Sequence, residues 1–326
     1  MKKNKLGRTN LEISEIALGG GWVGGLFIDA EYKVMENAIE LALDRGINWI
    51  DTAESYSEGV SEKNIGMLLD CLNPSEKIYV SSKARLDPQS SETFESQIDR
   101  KLDNSLKRLK LDQLNLYQSH NKITLEKGSE TLTEKEVLEA NGLAEIMLKL
   151  KEDQRVQNIG ITALGDTNSI NNVLETGYFD TAQVYYNLLN PSVEFEEADA
   201  WNDHDFSGLI SVCNKHKMGV LGIRVFAAGL LATDIRHGRE IPVTNVINID
   251  EEERRAHKLS ELVGENYGNR AQYALRYGLS SKNINSIVIG MATLEHLKNS
   301  IEAVEMGPLP ASLLKDISEL QKANFL

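Results

Sequence analysis

The chain has 326 residues, 41% of them hydrophobic and 26% charged, with a formal net charge of −14 at pH 7. The charge argues against nucleic acid or an anionic membrane as the main partner, because both require a basic face. The two cysteines lie far apart, which disfavours a disulfide framework, and the basic start has no apolar run behind it, which disfavours a signal peptide. No apolar run reaches the ~20 residues of a membrane helix, so we expect a cytoplasmic protein.

Short β-rich apolar runs alternate with longer segments of helical periodicity along the chain. Residues 5–6 and 11–13 flank a turn sequence and predict a β-hairpin. Eight strands are predicted at 15–19, 47–52, 78–82, 113–118, 158–162, 182–186, 220–225 and 286–290. Helices are predicted at 31–45, 61–72, 92–109, 141–152, 166–175, 206–216, 251–277 (with Gly264 and Gly268 as potential breaks), 294–304 and 310–323.

Strand–helix alternation with apolar strands indicates a parallel sheet covered by helices. Eight units that close on themselves predict an α/β fold, a (β/α)8 TIM barrel with an N-terminal β-hairpin and an extra C-terminal helix. We expect one domain over residues 1–326, since such a barrel takes about 250 residues before insertions. A doubly wound sheet is the alternative, because residues 19–24 match G-x-G-x-x-G and Asp51 follows. The bulky Trp22 and Phe27 disfavour it, because a tight phosphate turn is required there.

Three long connections, at 121–140, 187–205 and 227–249, each follow a predicted strand. In a barrel they lie on the C-terminal face, where such loops shape a pocket, and we expect them and Trp22 to determine the substrate. The second connection carries an acidic group, which we interpret as solvated and which would disfavour acidic substrates if it overhung the barrel mouth: Glu194, Glu196, Glu197, Asp199, Asp203 and Asp205.

Four ionisable residues lie at or just after the ends of neighbouring strands: Asp51, Tyr56, Lys83 and His120. Neighbouring parallel strands are ~5 Å apart, so these side chains are expected to converge at the barrel mouth. A lysine ammonium stabilises a phenolate, an aspartate holds the lysine, and a histidine orients a carbonyl oxygen by a hydrogen bond. This set predicts a proton-donating pocket for a C=O group, with hydride supplied by a nicotinamide cofactor.

Each residue taken alone also has a structural explanation. Asp51 is suited to capping a helix, Tyr56 to packing and His120 to a structural hydrogen bond, whereas Lys83 is suited to a Schiff base or a solvated strand end. Their combination at consecutive strand ends favours catalysis. Arg224 is expected to point into the barrel, and an internal salt bridge is favoured over binding of an anionic ligand. No metal-binding motif, G-x-S-x-G or P-loop is present, so no metal site is predicted.

The segment 46–62, Gly-Ile-Asn-Trp-Ile-Asp-Thr-Ala-Glu-Ser-Tyr-Ser-Glu-Gly-Val-Ser-Glu, resembles the Asp-Thr-Ala…Tyr-Gly…Ser-Glu signature of the aldo-keto reductases. Residues 105–112 with 116–120 are similar to a second hallmark of that family. The resemblance covers nearly the whole chain and implies a (β/α)8 barrel. It also implies an Asp-Tyr-Lys-His tetrad at Asp51, Tyr56, Lys83 and His120, with Tyr56 protonating the carbonyl oxygen.

The resemblance further implies cofactor contacts. Gln183 matches the residue that binds the carboxamide and Phe226 the ring that stacks on the nicotinamide. The pyrophosphate and adenosine contacts would involve Gly229, Leu230, Gly290, Met291, Thr293, His296 and Ser300. Two departures matter: Thr162-Ala163 replaces a Ser-Asn pair that helps to hold the carboxamide, and the 2′-phosphate segment lacks its usual cations. NADP and NAD are therefore both retained.

Two other functions stay open beside carbonyl reduction or sugar oxidation. One is a barrel lyase or aldolase with a Schiff base on Lys83. The other is a non-catalytic cofactor-binding subunit. The expected partner is a small carbonyl or sugar substrate, and the sequence predicts no oligomeric state.

Overall fold

The strands and helices are taken from a computed structural model that describes residues 1–74, 78–196, 201–236, 238–240 and 246–326. The strands are β1 (Lys3–Lys5), β2 (Glu12–Ser14), β3 (Ile16–Gly19), β4 (Trp49–Asp51), β5 (Tyr79–Ala84), β6 (Leu116–Ser119), β7 (Lys122–Ile123), β8 (Thr131–Leu132), β9 (Ile159–Ala163), β10 (Thr181–Tyr185), β11 (Gly219–Ile223) and β12 (Ser286–Gly290).

The helices begin with α1 (Leu26–Asp29), α2 (Tyr32–Asp44), α3 (Val60–Leu72), α4 (Phe94–Leu109), α5 (Glu134–Leu138) and α6 (Leu143–Glu152). They continue with α7 (Thr167–Glu175), α8 (Leu209–Lys215), α9 (Ile249–Val263), α10 (Arg270–Ser280), α11 (Leu294–Met306) and α12 (Ala311–Lys322). Within all the residues that the structure describes, no helix is long and apolar enough to span a bilayer.

Eight strands form a closed parallel barrel in the order β3-β4-β5-β6-β9-β10-β11-β12, and β12 pairs with β3 to complete it. The predicted (β/α)8 barrel is confirmed. Neighbouring strands pair over only a few residues. Between β3 and β4, for example, Leu18 pairs with Ile50 and Gly19 with Asp51. The carboxyl ends of all eight strands therefore share one rim.

The predicted hairpin is present as β1 and β2, which pair antiparallel, and it closes the opposite end of the barrel. A small apolar cluster joins hairpin and barrel side chains: Leu6, Leu11, Ile13, Ala17, Trp49, Leu116 and Leu221. Gly7, at φ 52°, lies so close to β11 that an added Cβ would be 2.2 Å from the Gly219 nitrogen. Glycine is required at this approach, because any side chain would displace the strand.

Three elements differ from the prediction. The expected helix 251–277 is two helices, because Gly264 caps α9 at φ 63° and Asn269 starts α10 with a capping box. The long connection 121–140 contains β7, β8 and α5, and the start of α5 is fixed by a Thr133–Glu136 capping box. Helix α1 was not predicted, since four residues are too few for a periodic signal.

Candidate active site

The four ionisable residues at the strand ends meet at the rim of the barrel. The Lys83 ammonium lies 2.5 Å from Asp51 Oδ2 and 3.4 Å from the Tyr56 hydroxyl, and it donates to the Thr52 carbonyl oxygen at 2.8 Å. The Tyr56 and His120 rings are 5.6 Å apart between centroids, edge to face. The structure thus brings together all four residues that the sequence grouped: Asp51 contacts Lys83, and Lys83 and His120 both contact Tyr56.

The second oxygen of Asp51 accepts three hydrogen bonds inside the barrel. Ser81 Oγ donates at 2.7 Å, Gln183 Nε2 at 2.8 Å and Gln118 Nε2 at 3.3 Å. Charge-assisted bonds of this kind hold a carboxylate firmly, so Asp51 is a fixed anchor for Lys83. Gln183, expected from the sequence at the carboxamide, thus directs its amide nitrogen to Asp51.

Electrostatics set the charges of Lys83 and His120. Burial alone would lower the pKa of Lys83, which is 1% exposed, but the charges of Asp51 and Tyr56 and their hydrogen bonds raise it above its usual value. Desolvation lowers the pKa of His120 well below its usual value, and the positive charges of Lys83, Arg85 and Arg224 lower it further. The site therefore contains an ammonium and a neutral imidazole at neutral pH.

The loop that carries Tyr56 is held by polar contacts. Thr52 Oγ1 and Ser61 Oγ lie 2.9 Å apart, and Glu62 accepts from Ser82 at 2.5 Å and forms an ion pair with Arg108 at 2.6 Å. The Ser-Glu end of the signature segment is therefore structural, and it joins that segment to α4. Gly21 lies near the Tyr56 ring, because a Cβ added at Gly21 would be 3.7 Å from Tyr56 Cζ.

The connection after β11 takes an unusual backbone path. Ala227 and Ala228 both have positive φ, 44° and 56°, followed by Gly229 at 110°. Phe226 immediately before them is half-buried against the core. A Cβ added at Gly229 or at Gly290 would meet nothing within 4 Å, so both glycines border open space on the rim.

Replacing Ala228 with glycine is expected to stabilise the protein by about 1 kcal/mol. A left-handed backbone costs a non-glycine residue roughly 1–2 kcal/mol, and the greater conformational entropy of glycine in the unfolded state offsets part of the relief. Ala232→Gly, at negative φ in the same connection, is expected to destabilise it slightly. Urea unfolding of the two variants checks this. Equal losses in both would contradict it.

The segment expected at the adenosine end follows β12. Met291 is buried, and its carbonyl oxygen accepts from the Leu26 nitrogen. Thr293 caps α11 by accepting from the His296 nitrogen, and the Ser300 hydroxyl donates to the His296 carbonyl oxygen at 2.9 Å. The side chains of Met291 and Ser300 are thus engaged within the protein, whereas Gly290 and His296 remain exposed.

Trp22, expected to contact substrate, lies in the connection after β3 and is 37% exposed. Arg239 donates to the Trp22 carbonyl oxygen at 2.8 Å and to Asp29 Oδ2 at 2.7 Å, and its guanidinium lies 5.9 Å from the indole centroid. Arg239 was not among the predicted site residues, because no local pattern links it to Trp22, 217 positions away.

The sequence profile of the aldo/keto reductase family matches residues 15–322. The chain belongs to this family. It is 25% identical over 301 residues to the L-galactose dehydrogenase of Arabidopsis thaliana (92% of this chain, 86% of the relative) and 24% identical to the NADH-specific methylglyoxal reductase of Escherichia coli strain K12 (98% and 99%). A solved aldo-keto reductase from Bacillus halodurans, in its holo form, superposes with a TM-score of 0.74 at 22% identity and covers 98% of this chain and 96% of its own.

The described acidic residues of the connection at 187–205 of this aldo/keto reductase mostly have protein partners. Glu194 accepts from Tyr186, Ser281 and Asn283, and Asp205 binds Ser207. Buried Asp203 lies 3.8 Å from Arg255, and Glu196 is exposed. Glu197 and Asp199 lie outside the described residues. The interpretation of the group as a solvated loop is therefore wrong for Glu194 and Asp203.

Glu252 on α9 is a buried carboxyl, 5% exposed. Burial and the neighbouring Asp203 raise its pKa to about 7, against the opposing charges of Arg255 and Arg224. Its folded-state pKa exceeds the unfolded value of about 4.5, so the folded state binds more protons between these values and loses stability as pH rises through that window.

Glu252→Gln is therefore expected to be more stable than the wild type at pH 8, by as much as about 3 kcal/mol, with a far smaller difference at pH 5. Urea denaturation at both pH values measures it. Glu261→Gln, an exposed residue of the same helix, is the control and is expected to show no such pH dependence. A gain for Glu252→Gln that is the same at both pH values would exclude the ionisation.

Proposed function

We propose that this chain is an NAD(P)-dependent oxidoreductase that transfers hydride between a nicotinamide cofactor and the carbonyl or alcohol carbon of an aldehyde, ketone or aldose, with Tyr56 as general acid. The observation that carries the proposal is the position of the Lys83 ammonium, 3.4 Å from the Tyr56 hydroxyl and 2.5 Å from Asp51. A phenol beside a fixed ammonium is suited to give up a proton, since the ammonium stabilises the phenolate that remains.

Each residue has a distinct part in this proposal. Tyr56 donates its proton to the carbonyl oxygen, Lys83 stabilises the resulting phenolate, and Asp51 keeps Lys83 charged and in place. His120 orients the carbonyl oxygen through a hydrogen bond. The nicotinamide, when bound, supplies the hydride. In the reverse direction the Tyr56 phenolate accepts the proton of an alcohol.

The residues around the rim fit a dinucleotide. Open space borders Gly229 and Gly290, and the half-buried Phe226 precedes Gly229 by three residues. We propose that Phe226 contacts the nicotinamide, that Gly229 and Leu230 approach the pyrophosphate with their backbone, and that the adenosine end lies along Gly290, Met291, Thr293, His296 and Ser300. We propose that Gln183 binds the carboxamide from inside the barrel and that Trp22 borders the substrate.

The choice between NADP and NAD depends on cations near the adenosine end. A 2′-phosphate requires cationic donors, and Lys298 in this segment is already 3.5 Å from Glu295. This pairing leaves fewer cations for a 2′-phosphate and so supports NAD(H) as a candidate beside NADP(H), and the similar E. coli protein is named as NADH-specific. Both cofactors therefore enter the test.

The test is consumption of NADPH and of NADH with 4-nitrobenzaldehyde and with methylglyoxal, followed in the reverse direction by NAD(P) reduction with free aldoses. Turnover in either direction is the expected result, and the ratio of kcat/KM for the two cofactors gives the preference. Tight binding of cofactor without turnover on any substrate would instead support a non-catalytic subunit.

The Schiff-base alternative makes a different prediction. It requires a neutral Lys83, whereas the 2.5 Å contact with Asp51 and the raised pKa favour the ammonium. Borohydride reduction of a mixture with a carbonyl substrate, followed by peptide mass analysis, is expected to leave Lys83 unmodified. A reduced adduct on Lys83 would support the lyase and overturn the reductase mechanism.

A further inference from the structure

Ser55, the residue before Tyr56, makes a side-chain contact with the proposed carbonyl-orienting histidine. Its hydroxyl oxygen lies 3.2 Å from His120 Nδ1. The His120 backbone is fixed independently, because its nitrogen donates to the Ala84 carbonyl oxygen at 2.7 Å. The Tyr56 ring packs edge to face against the imidazole, with 5.6 Å between the ring centroids. The imidazole therefore has a defined orientation, and one of its two nitrogens is bound.

The second ring nitrogen is left for a ligand. His120 Nε2 makes no hydrogen bond to any residue that the structure describes. A neutral imidazole carries one proton, on either Nδ1 or Nε2, and a serine hydroxyl can donate to Nδ1 or accept a hydrogen bond from it. When a hydroxyl donates to Nδ1, the proton lies on Nε2. Only that tautomer presents an N–H donor to a carbonyl oxygen.

We propose that Ser55 is a positioning residue that holds His120 in the tautomer with the proton on Nε2 and so directs an N–H donor at the oxygen of the substrate carbonyl. The inference rests on the proposed function, since it assigns a role toward the carbonyl that His120 is proposed to orient. Ser55 acts through His120 and donates no proton to the substrate.

A structural role for the hydroxyl finds no support in its surroundings. Ser55 is exposed, and its hydroxyl makes no other hydrogen bond within the described part of the chain. The loop is held by other contacts, from the Tyr56 nitrogen to the Ala53 carbonyl oxygen and from the Val60 nitrogen to the Ser57 carbonyl oxygen. Removing the Ser55 hydroxyl should therefore leave the fold unchanged.

The experiment compares the wild type with Ser55→Ala and Ser55→Thr. Ser57→Ala is the matched control, because the Ser57 hydroxyl is exposed in the same loop and makes no hydrogen bond to described residues. The first readout is the tautomer of His120 by long-range proton–nitrogen NMR on protein with 15N-labelled histidine, assigned with His120→Gln. The chain has six histidines, so the spectrum is simple. The second readout is kcat/KM for carbonyl reduction.

We expect wild type, Ser55→Thr and Ser57→Ala to show His120 protonated on Nε2, and Ser55→Ala to show a mixture of tautomers. We expect kcat/KM to fall about tenfold in Ser55→Ala, equivalent to about 1.4 kcal/mol in the barrier, and to recover in Ser55→Thr. An unchanged tautomer in Ser55→Ala would overturn the proposal, as would unchanged kcat/KM in an active enzyme. If the wild type shows no turnover in either direction, the proposed function fails, while the NMR result still decides the tautomer.

Discussion

Tyr56→Phe is expected to lower kcat for carbonyl reduction by about 10²–10⁴-fold, the usual contribution of a positioned proton donor. The phenylalanine ring keeps the edge-to-face packing on His120, so the geometry of the pocket should persist. Only the oxygen 3.4 Å from Lys83 is lost. The measurement is steady-state NAD(P)H consumption at saturating aldehyde, with cofactor affinity measured by fluorescence quenching.

Two comparisons make this result specific. Tyr178→Phe removes a hydroxyl from an exposed tyrosine and is expected to leave kcat unchanged. Cofactor affinity of Tyr56→Phe is expected to match the wild type, since the proposed cofactor contacts lie elsewhere on the rim. Turnover that survives in Tyr56→Phe would show that another group protonates the substrate, and Tyr56 would lose its assignment as general acid.

Lys83→Met is expected to destabilise the protein by about 3–5 kcal/mol and to abolish turnover. The substitution removes one partner of a buried ion pair and leaves the Asp51 carboxylate, itself buried, without its counter-charge. Lys110→Met is the matched control, because Lys110 and Asp70 form an ion pair of similar length, 2.6 Å, on the surface. There we expect a loss below about 1 kcal/mol.

The double variant Lys83→Met with Asp51→Asn separates charge from packing. It removes both charges, so we expect it to regain much of the stability that Lys83→Met loses, without regaining activity. Urea unfolding of the two single variants, the double variant and the wild type gives the coupling energy. A double variant as unstable as the sum of both single variants would show that the two charges do not stabilise each other.

The barrel was predictable because its information is local. Apolar runs of strand length alternate with helical periodicity, and eight such units have few ways to pack. The proximity of Lys83, Asp51 and His120 was predictable for the same reason, since the ends of parallel strands share one rim. Element bounds were less accurate where pairing depends on a neighbour: the run 113–118 begins before β6 because Leu114 makes only an isolated bridge to Val156.

Features that depend on distant partners could not be predicted. The three hydrogen-bond donors to Asp51 come from three different strands, β5, β6 and β10. Of these, Gln118 lies near the site because it pairs with Lys83 in the barrel. The inward orientation of Arg224 was expected from the alternation of side chains along a strand. The strand ends at Ile223, and Arg224 has a left-handed backbone with a φ of 63°, so the alternation does not extend to it. Its charge nevertheless contributes to lowering the pKa of His120.

The seam between β3 and β12 has a consequence for synthesis of the protein on the ribosome. Synthesis of β3 ends at Gly19, but the strand that pairs with one of its edges, β12, is made only when Ser286–Gly290 has been synthesised. At about 5–20 residues per second this interval lasts roughly 10–50 s. Throughout this interval one edge of β3 has unpaired backbone groups. The apolar cluster under the β1–β2 hairpin is completed only when Leu221 of β11 has been made. The nascent chain is therefore expected to depend on chaperones until nearly all of it has been made.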